Sequence, residues 1–529
     1  MIVPFLFSLV AGVFYALGFP NILGKGLFLL PTLAFGILYF NWQSSINFRQ
    51  KALHLLLMSL SFTLTAYYWI TQTLVEFGDL PYVVAIFLNL LFFLIAFPQY
   101  WVFLGIDSLN RKFQLTSKLK TRLPSGSLIV FLAFFFTALE YFVPQQFPGH
   151  LGHNWLQLKP FLGLAPIGGV PFFSFASYVL VFCFLHYLKT KEKEWSLIAF
   201  LSLFLIINLL FPLHPFKDDH HEINVRIVQP NVGNFLKLES EKGDSSSLSS
   251  VLNSLYELAT TKNEFKPDLI VFPETSYPFS LYSPAVKNNH DLVPELFKKI
   301  QEVQPASILI GGYDLKNEKN FNLDFYEQEY NSAFHFSAGG SLKDVYHKHL
   351  LIPFGETLPV GPFKSLLSKV INNITYFAEG KNETKFELAP GIHFITPICY
   401  EVLFPSFIRS ILLSDERQVN FLINLTNDSW YGKTVEIEQH LFLAKWRALE
   451  FAIPIIRSTN TGITSVIYPD GSESNRLTIY REEILDHKLM IPKSKKTLYL
   501  HFGFEVVSLL ALILMLLTYF LEKPSFSKS

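Results

Sequence analysis

The chain has 529 residues, of which 50% are hydrophobic, 16% are aromatic and only 16% are charged. This balance is too apolar for a soluble protein of this length, and it predicts a membrane protein. The formal net charge is zero, so bulk electrostatics give no reason to expect a nucleic-acid partner, and we exclude that class.

Long uncharged runs fill the first part of the chain and return near its end. Runs of about 17 to 25 residues predict membrane helices. Eight are predicted, near residues 2–19, 27–42, 53–73, 81–107, 126–143, 167–188, 195–213 and 503–521. The first lacks the basic flank and cleavage site of a signal peptide, so we expect it to be retained. The predicted division is a membrane domain at 1–213, a globular domain at 214–500, and a final helix with a tail at 501–529.

Lysine and arginine collect in the loops on one side of the predicted membrane domain. They are Arg49 and Lys51, then Arg111, Lys112, Lys118, Lys120 and Arg122, then Lys189, Lys191 and Lys193. Basic loops face the cytoplasm. We therefore expect both termini to be cytoplasmic and the globular domain to lie outside the cytoplasmic membrane.

Short β-rich runs alternate with helical stretches between residues 214 and 500. The strands are predicted within 223–230, 267–274, 306–314, 331–337, 393–399, 419–427 and 462–471, and the helices within 285–304, 401–413 and 437–452. This alternation predicts a layered α/β domain, and open α/β sheets usually carry their sites at strand ends.

The chain has only two cysteines, Cys183 in the sixth predicted helix and Cys399 in the outer domain. Because one lies in a membrane helix and the other in the outer domain, we expect no disulfide between them. Cys399 ends a predicted strand just before a predicted helix, where backbone N–H groups and the helix N-terminus favour the thiolate. Cys399 is therefore a candidate nucleophile, and a small packed thiol is the structural alternative.

Two further side chains would complete a nucleophilic site. Glu274 ends the strand of "PDLIVFPE", and its carboxylate can accept the thiol proton and return it to a leaving group. Lys348 lies in the turn-rich "VYHKHLLIPFGE", and its ammonium can stabilise the oxyanion of a tetrahedral intermediate. The spacing alone leaves simpler alternatives open, a surface carboxylate for Glu274 and a solvated loop charge for Lys348.

Several motifs follow one another in a specific order, and together they resemble the apolipoprotein N-acyltransferase family, a membrane branch of the nitrilase (carbon–nitrogen hydrolase) superfamily. They are "RIVQPN", "VFPETSYP", "YHKHLLIPFGETLP", "ICYEVLFP", "LTNDSWYG" and "EQHLFLAKWRALEFAIPIIRSTNTGIT". The resemblance covers essentially the whole chain. It implies a polytopic α-helical membrane domain of about eight helices and an external nitrilase-like αββα sandwich.

The resemblance also implies roles for individual residues. Glu274 matches the family's general base, Lys348 its oxyanion-stabilising lysine and Cys399 its nucleophile. Supporting positions around the site are implied at Glu356, Tyr400 and Glu401. Glu140 and the "NWLQL" of residues 154–158 match further family stretches without an assigned role.

The implied reaction takes place at the bacterial inner membrane. Cys399 would take an acyl chain from a membrane phospholipid as a thioester, and the N-terminal amine of the diacylglyceryl-cysteine of an apolipoprotein would receive the chain as an amide. The resemblance implies no metal and no other cofactor, and we expect a monomer. One departure is Leu238, which stands where the family often has tryptophan.

Three alternatives remain at this level. A Cys–His pair could use His347, His349 or His440, and "DDHH" at 218–221 could bind a metal but is expected to be a solvated linker. The same site could instead hydrolyse small amides or nitriles. The chain could also be a receptor without activity, which predicts that one of Glu274, Lys348 and Cys399 is lost, and all three are present.

Overall fold

The computed structural model describes residues 2–76, 78, 80–113, 125–211, 220–317, 329–358, 361, 376–492 and 496–521. The helices of the first part are α1 (Ile2–Leu17), α2 (Leu30–Ser44), α3 (Phe48–Ala66), α4 (Trp69–Glu76), α5 (Tyr82–Leu91), α6 (Pro98–Phe113), α7 (Ser125–Phe142), α8 (Ala165–Thr190) and α9 (Trp195–Leu210). The later helices are α10 (Asn234–Glu241), α11 (Ser245–Ala259), α12 (Ser283–Asn288), α13 (Glu295–Val303), α14 (Pro405–Leu413), α15 (Glu436–Phe451) and α16 (Leu498–Leu521).

The strands all lie between α9 and α16 in the described part of the chain. They are β1 (His220–Gln229), β2 (Leu269–Val271), β3 (Ser280–Leu281), β4 (Ser307–Leu315), β5 (Glu329–Phe336), β6 (Leu342–His347), β7 (Phe386–Ala389), β8 (Ile392–Ile395), β9 (Val419–Thr426), β10 (Ile455–Thr459), β11 (Ser465–Ile467) and β12 (Glu483–Pro492). Short 3-10 turns at Leu151–Gln157, Cys399–Leu403 and Asp428–Tyr431 complete the elements that position the site.

The polytopic helical domain is confirmed, because each of the eight predicted segments overlaps a described helix or a bent pair of helices. By length and composition, α7 and α8 are able to cross a membrane, and the number rises to four if each bent pair is one span. The pairs are α3 with α4, bent by 63°, and Tyr82–Leu94 with Pro98–Arg111, bent by 44°. The helices predicted near 53–73 and 81–107 are therefore present as bent pairs, and the sequence did not predict the bends.

Two sheets form the α/β domain. The larger has seven strands in the order β12-β1-β2-β4-β5-β6, with β3 paired to β4, and the smaller has five in the order β11-β10-β9-β8-β7. Each has a parallel centre, at β1, β2 and β4 in the first and at β8, β9 and β10 in the second, and antiparallel strands at the edges. The carboxyl ends of the parallel strands hold the candidate site, as expected for open sheets.

The sheets pack face to face. Inward side chains of the larger sheet, such as Val225 and Leu269, share one core with Phe421 and Ile455 of the smaller sheet. Helices α11 and α13 cover the outer face of the larger sheet, whereas α14 and α15 pack beside the smaller one. All eight residues of β9 are buried, which explains the continuous apolar run of its sequence. The αββα sandwich is therefore confirmed.

Two predicted helices differ from the structure. The segment predicted as one helix at 285–304 is divided into α12 and α13, because the chain between them forms a turn that ends at Pro294. The helix predicted at 401–413 begins only at Pro405, and the residues before it form a 3-10 turn. Proline is favoured in the first turn of a helix because its missing N–H has no partner to lose there.

The α/β domain is joined to the membrane domain by polar contacts as well as by apolar packing. On α15, the Trp446 indole N–H donates to the His153 carbonyl at 3.0 Å, and Glu450 Oε1 accepts from the Val170 N–H of α8 at 3.1 Å. Glu140 of α7 is also buried, and its Oε1 accepts from the Leu151 N–H at 3.1 Å. Glu140 thus lies inside the protein and helps to hold the 3-10 turn Leu151–Gln157.

Candidate active site

Cys399 lies at the first position after the loop that leaves β8, and its backbone is in the left-handed region with φ +51°. Such a conformation is uncommon for a non-glycine residue and costs free energy, so neighbouring contacts must hold it in place. The Asn424 amide donates to the Cys399 carbonyl at 3.3 Å and to the Pro397 carbonyl at 3.0 Å. The residue is 3% exposed and has no disulfide partner.

The environment of the thiol differs from the one expected from the sequence. The α-helix that follows Cys399 in the chain, α14, begins only six residues later, so its N-terminus does not adjoin the thiol as the sequence predicted. Burial, followed by the charge of Glu274, raises the pKa of the Cys399 thiol well above its usual value, although Lys348 opposes the change. The resting thiol is therefore protonated at neutral pH, and an attack on a substrate requires a base in the same site.

Lys348 follows β6 and has no exposed side-chain surface. Its Nζ lies 3.2 Å from Glu274 Oε1 and 2.8 Å from Glu356 Oε1. Burial alone would lower the pKa of Lys348, but the two carboxylates outweigh it and raise this pKa above the ordinary lysine value. A charged ammonium is thus held between two acids beside the thiol.

Glu274 lies just beyond the carboxyl end of β2, and its two oxygens have separate partners. Oε1 accepts from the Asn331 amide at 2.8 Å as well as from Lys348, and Oε2 accepts from the Asn427 N–H at 2.8 Å. A Cβ at Gly311 on β4 would lie 2.6 Å from the Glu274 Cα, so only glycine fits that strand position. The backbone of the candidate base is therefore fixed by the neighbouring strand.

Glu401 ties the turn of Cys399 to the loop of Lys348. Its Oε1 accepts from the His349 and Leu350 N–H groups at 2.7 and 3.0 Å, and its Oε2 accepts from the Ile398 N–H at 2.8 Å. The Tyr346 hydroxyl donates to the same carboxyl. Burial raises the pKa of Glu401 to about 7, although these backbone hydrogen bonds oppose the change. Its position fits a supporting residue that fixes the distance between two loops.

Tyr400 connects the site with the membrane domain. Its hydroxyl donates to the Gln146 carbonyl at 2.5 Å, in the loop between α7 and α8. Its ring meets the Phe147 ring edge-on, with the centroids 6.0 Å apart. The residue after the candidate nucleophile thus contacts the loop between α7 and α8.

The histidines do not form the Cys–His pair considered from the sequence. His347 Nε2 lies 2.7 Å from Asp314 Oδ2, and His349 Nδ1 lies 3.1 Å from the Tyr346 hydroxyl. His440 approaches the nucleophile, but its Nε2 contacts the Cys399 carbonyl oxygen at 3.3 Å. Burial, and then the charge of Arg457, lowers the pKa of His440, so it is neutral and supports the backbone of the turn.

A second cluster of buried charge lies behind this turn. Arg457 Nη2 donates to Asp428 Oδ2 at 2.9 Å, and its Nη1 donates to Asn424 Oδ1 at 2.9 Å. Among the described residues, Asp428, Glu436 and His440 place one ligand atom each within 4.8 Å of one another, as a metal site would require. The Arg457 guanidinium already supplies positive charge there, so the arrangement fits a metal ion poorly.

Four residues that support the site were not predicted from the sequence, although they lie in segments that the sequence analysis identified. They are Asn331, Asn424, Asn427 and Arg457. They lie at strand ends or within buried strands, where a polar side chain is unusual. That signal could have found them. The side chain of Leu238 lies outside the described residues, as do Asp218 and Asp219 of the "DDHH" segment.

The two facing sheets, with a cysteine, a lysine and a glutamate brought together at strand ends, define the class of the carbon–nitrogen hydrolases. Residues 224–491 match the family model described as carbon-nitrogen hydrolase. Residues 11–185 match the model of the apolipoprotein N-acyltransferase N-terminal domain.

Curated relatives match across both regions. The apolipoprotein N-acyltransferase of Bdellovibrio bacteriovorus is 28% identical over 79% of this chain and 76% of its own length. The enzyme of the same name from Haemophilus ducreyi is 27% identical over 84% of this chain and 83% of its own length. The enzyme of the same name from Haemophilus influenzae is 29% identical over 69% of this chain and 70% of its own length. The chain belongs to the apolipoprotein N-acyltransferase family of carbon–nitrogen hydrolases, whose activity is the N-acylation of lipoproteins.

Proposed function

We propose that the chain transfers an acyl chain from a membrane phospholipid to the N-terminal amine of a diacylglyceryl apolipoprotein through a thioester on Cys399. The observation that carries the proposal is the cluster of Glu274, Lys348 and Glu356 beside the buried thiol. Family membership supports the substrate classes.

In the first step, Cys399 Sγ attacks the ester carbonyl carbon of the phospholipid while Glu274 accepts the thiol proton. The charge that develops on the carbonyl oxygen faces the Lys348 ammonium, which does not have to reorganise during the reaction. The intermediate collapses to the thioester. The lysophospholipid oxygen leaves with the proton returned by Glu274.

In the second step, the free α-amine of the apolipoprotein attacks the thioester carbonyl carbon. The nitrogen loses one proton to Glu274, Lys348 again faces the oxyanion, and the Cys399 thiolate leaves. The thiolate then recovers the proton from Glu274, so the amide product forms and the resting site is restored. Glu356, Tyr400 and Glu401 act by positioning these three groups.

The arrangement in the cell is part of the same proposal. It includes the division into residues 1–213, 214–500 and 501–529, although the last boundary falls three residues inside α16, which begins at Leu498. The basic loops favour cytoplasmic termini and a periplasmic catalytic domain in the bacterial inner membrane. One chain supplies all the proposed catalytic groups, which is consistent with a monomer.

Mass spectrometry of the intact purified protein tests the reaction. After incubation with a phospholipid of known acyl chains, we expect an added mass of one acyl group, which hydroxylamine removes as expected of a thioester. Cys399→Ala should show no such mass, whereas Cys183→Ala should behave as the wild type. An active wild-type preparation that never carries the acyl mass would refute the mechanism.

A further inference from the structure

A narrow cleft with a cavity volume of about 40 Å³ lies where the α/β domain meets the membrane domain. On the membrane side it is bounded by the break between α3 and α4, where Ala66, Tyr67 and Trp69 line it. On the other side it is bounded by α15 and by Leu403, in the turn that begins at Cys399. Its walls are mostly aromatic and apolar.

One carboxyl group in this cleft has a buried oxygen without a hydrogen bond among the described residues. Glu436, at the start of α15, is 6% exposed and lines the cleft. Its Oε2 is buried and makes no hydrogen bond among the described residues. Its Oε1 lies 3.8 Å from His440 Nδ1, which is too long for a hydrogen bond. Burying a carboxyl oxygen without a hydrogen-bond partner costs free energy.

The positive charge near Glu436 is already paired with another carboxylate. Arg457 is paired with Asp428 through both carboxylate oxygens, at 3.2 and 2.9 Å. His440 is neutral, since burial and Arg457 lower its pKa. Burial, and then the charge of Asp428, raises the pKa of Glu436 well above its usual value, against the opposing effect of Arg457. Without a ligand the carboxyl is therefore neutral, and a bound cation would convert it into half of an ion pair.

The cleft is next to the candidate nucleophile. His440 lines the cleft and also contacts the Cys399 carbonyl at 3.3 Å. Burial, and then the charges of Cys399 and Glu436, raise the pKa of Tyr431 well above its usual value. Its ring packs edge-on against Trp69 of the cleft wall, with the centroids 5.2 Å apart. A lipid polar group at Glu436 would thus lie near the thiol.

We propose that Glu436 binds the primary ammonium group of a lipid substrate in this cleft, an inference that rests on the proposed acyl transfer. A primary ammonium carries three N–H donors for a carboxylate, and nearby aromatic rings such as Trp69 favour a cation. When it binds, Glu436 releases its proton to water and becomes the counter-ion. Two substrates carry this chemistry, the ethanolamine headgroup of a phospholipid donor and the α-ammonium of the diacylglyceryl-cysteine acceptor before it loses its proton.

The test compares Glu436→Gln with Glu438→Gln in the full-length protein in detergent. Glutamine keeps the shape of the carboxyl but cannot become a counter-ion. Glu438 lies two residues along the same helix, is exposed and pairs with Arg476, so it is a matched control outside the cleft. Thioester formation is measured with phosphatidylethanolamine and with phosphatidylglycerol of the same acyl chains. Decay of the thioester is then measured with a diacylglyceryl-cysteine peptide.

If the donor supplies the ammonium, Glu436→Gln slows thioester formation from phosphatidylethanolamine about tenfold and leaves the rate with phosphatidylglycerol unchanged. If the acceptor supplies it, both donors react normally and the peptide concentration needed for half-maximal decay rises about tenfold. Unchanged kinetics throughout, or equal slowing with both donors, would overturn the ammonium site while thioester formation by the wild type upholds the proposed function. A wild type that forms no thioester from either donor overturns the proposed function and, with it, this site.

Discussion

Two clusters of buried charge flank the turn that carries Cys399, and each combines two carboxyl groups with one cation. In the first, which we call the lysine cluster, Lys348 contacts both Glu274 and Glu356. In the second, the arginine cluster, Arg457 contacts Asp428, while the carboxyl of Glu436 has an oxygen without a partner.

The difference separates two uses of buried charge. Taking a charge out of water is expensive, and the cost is offset only when good partners surround it. In the lysine cluster the cation is held on both sides, so the groups are fixed for a reaction. In the arginine cluster one carboxyl remains open to a cleft, which suits the binding of a ligand that brings its own charge.

Lys348→Met breaks the lysine cluster and has the largest expected effect. It removes the cation that faces the oxyanion and leaves Glu274 and Glu356 buried without it. We expect thioester formation to slow by about 10³-fold, at the upper end of the loss measured for one oxyanion donor. The rate should be measured per folded molecule by intact mass spectrometry, because loss of a buried partner also lowers stability by about 3 to 5 kcal/mol.

Lys385→Met is the matched control. Lys385 is also fully buried, but its Nζ donates to the carbonyls of Leu412, Asp415 and Arg417, which close the end of α14. We expect a comparable loss of stability with little change in the rate of the folded fraction. If both variants slowed thioester formation per folded molecule by the same factor, the proposed chemical role of Lys348 would be wrong.

Glu401→Gln sharpens the comparison between two buried carboxyls. Both Glu401 and Glu436 have a raised pKa, but Glu401 accepts several hydrogen bonds, whereas Oε2 of Glu436 accepts none among the described residues. The pKa of Glu401 rises on folding from 4.5 to about 7. Its neutral form is therefore favoured in the folded state, so its contribution is fully present below pH 4.5 and is lost as the pH rises through 7.

The raised pKa of Glu401 predicts that the protein loses stability as the pH rises. Between pH 4.5 and 7, the free energy of unfolding of the wild type should fall by about 3 kcal/mol relative to Glu401→Gln. Thermal unfolding in detergent at both pH values measures the difference. A gap between the two proteins that does not change with pH would show that Glu401 keeps its ordinary pKa in the folded protein.

The proposed catalytic residues could be found from the sequence because each has a local signal. Glu274 and Cys399 both follow apolar runs that form parallel strands, β2 of the larger sheet and β8 of the smaller one, and open sheets usually carry their sites at the carboxyl ends of such strands. Lys348 stands in a turn-rich segment within a recognisable motif. Pro405 also signalled where α14 begins, so the expectation of a helix N-terminus at Cys399 could have been corrected from the sequence.

The ammonium site could not be predicted in the same way. Glu436 lies in the first turn of a helix, where a carboxylate is ordinary and favourable. Its burial depends on the break between α3 and α4, and hydropathy predicted one continuous helix there because the break lies within apolar and aromatic residues. Only the packing of two distant segments makes this carboxyl unusual.

Tyr400→Phe has the smallest expected effect and tests whether the membrane domain positions the site. The change removes the hydrogen bond to the Gln146 carbonyl but keeps the ring against Phe147 and Phe404. A hydrogen bond of this kind contributes about 1 kcal/mol. We expect the concentration of phospholipid needed for half-maximal acylation to rise by about fivefold, with the maximal rate little changed, because the loop rather than the thiol is loosened. A loss of about 10³-fold in the maximal rate would instead place the hydroxyl in the chemical step.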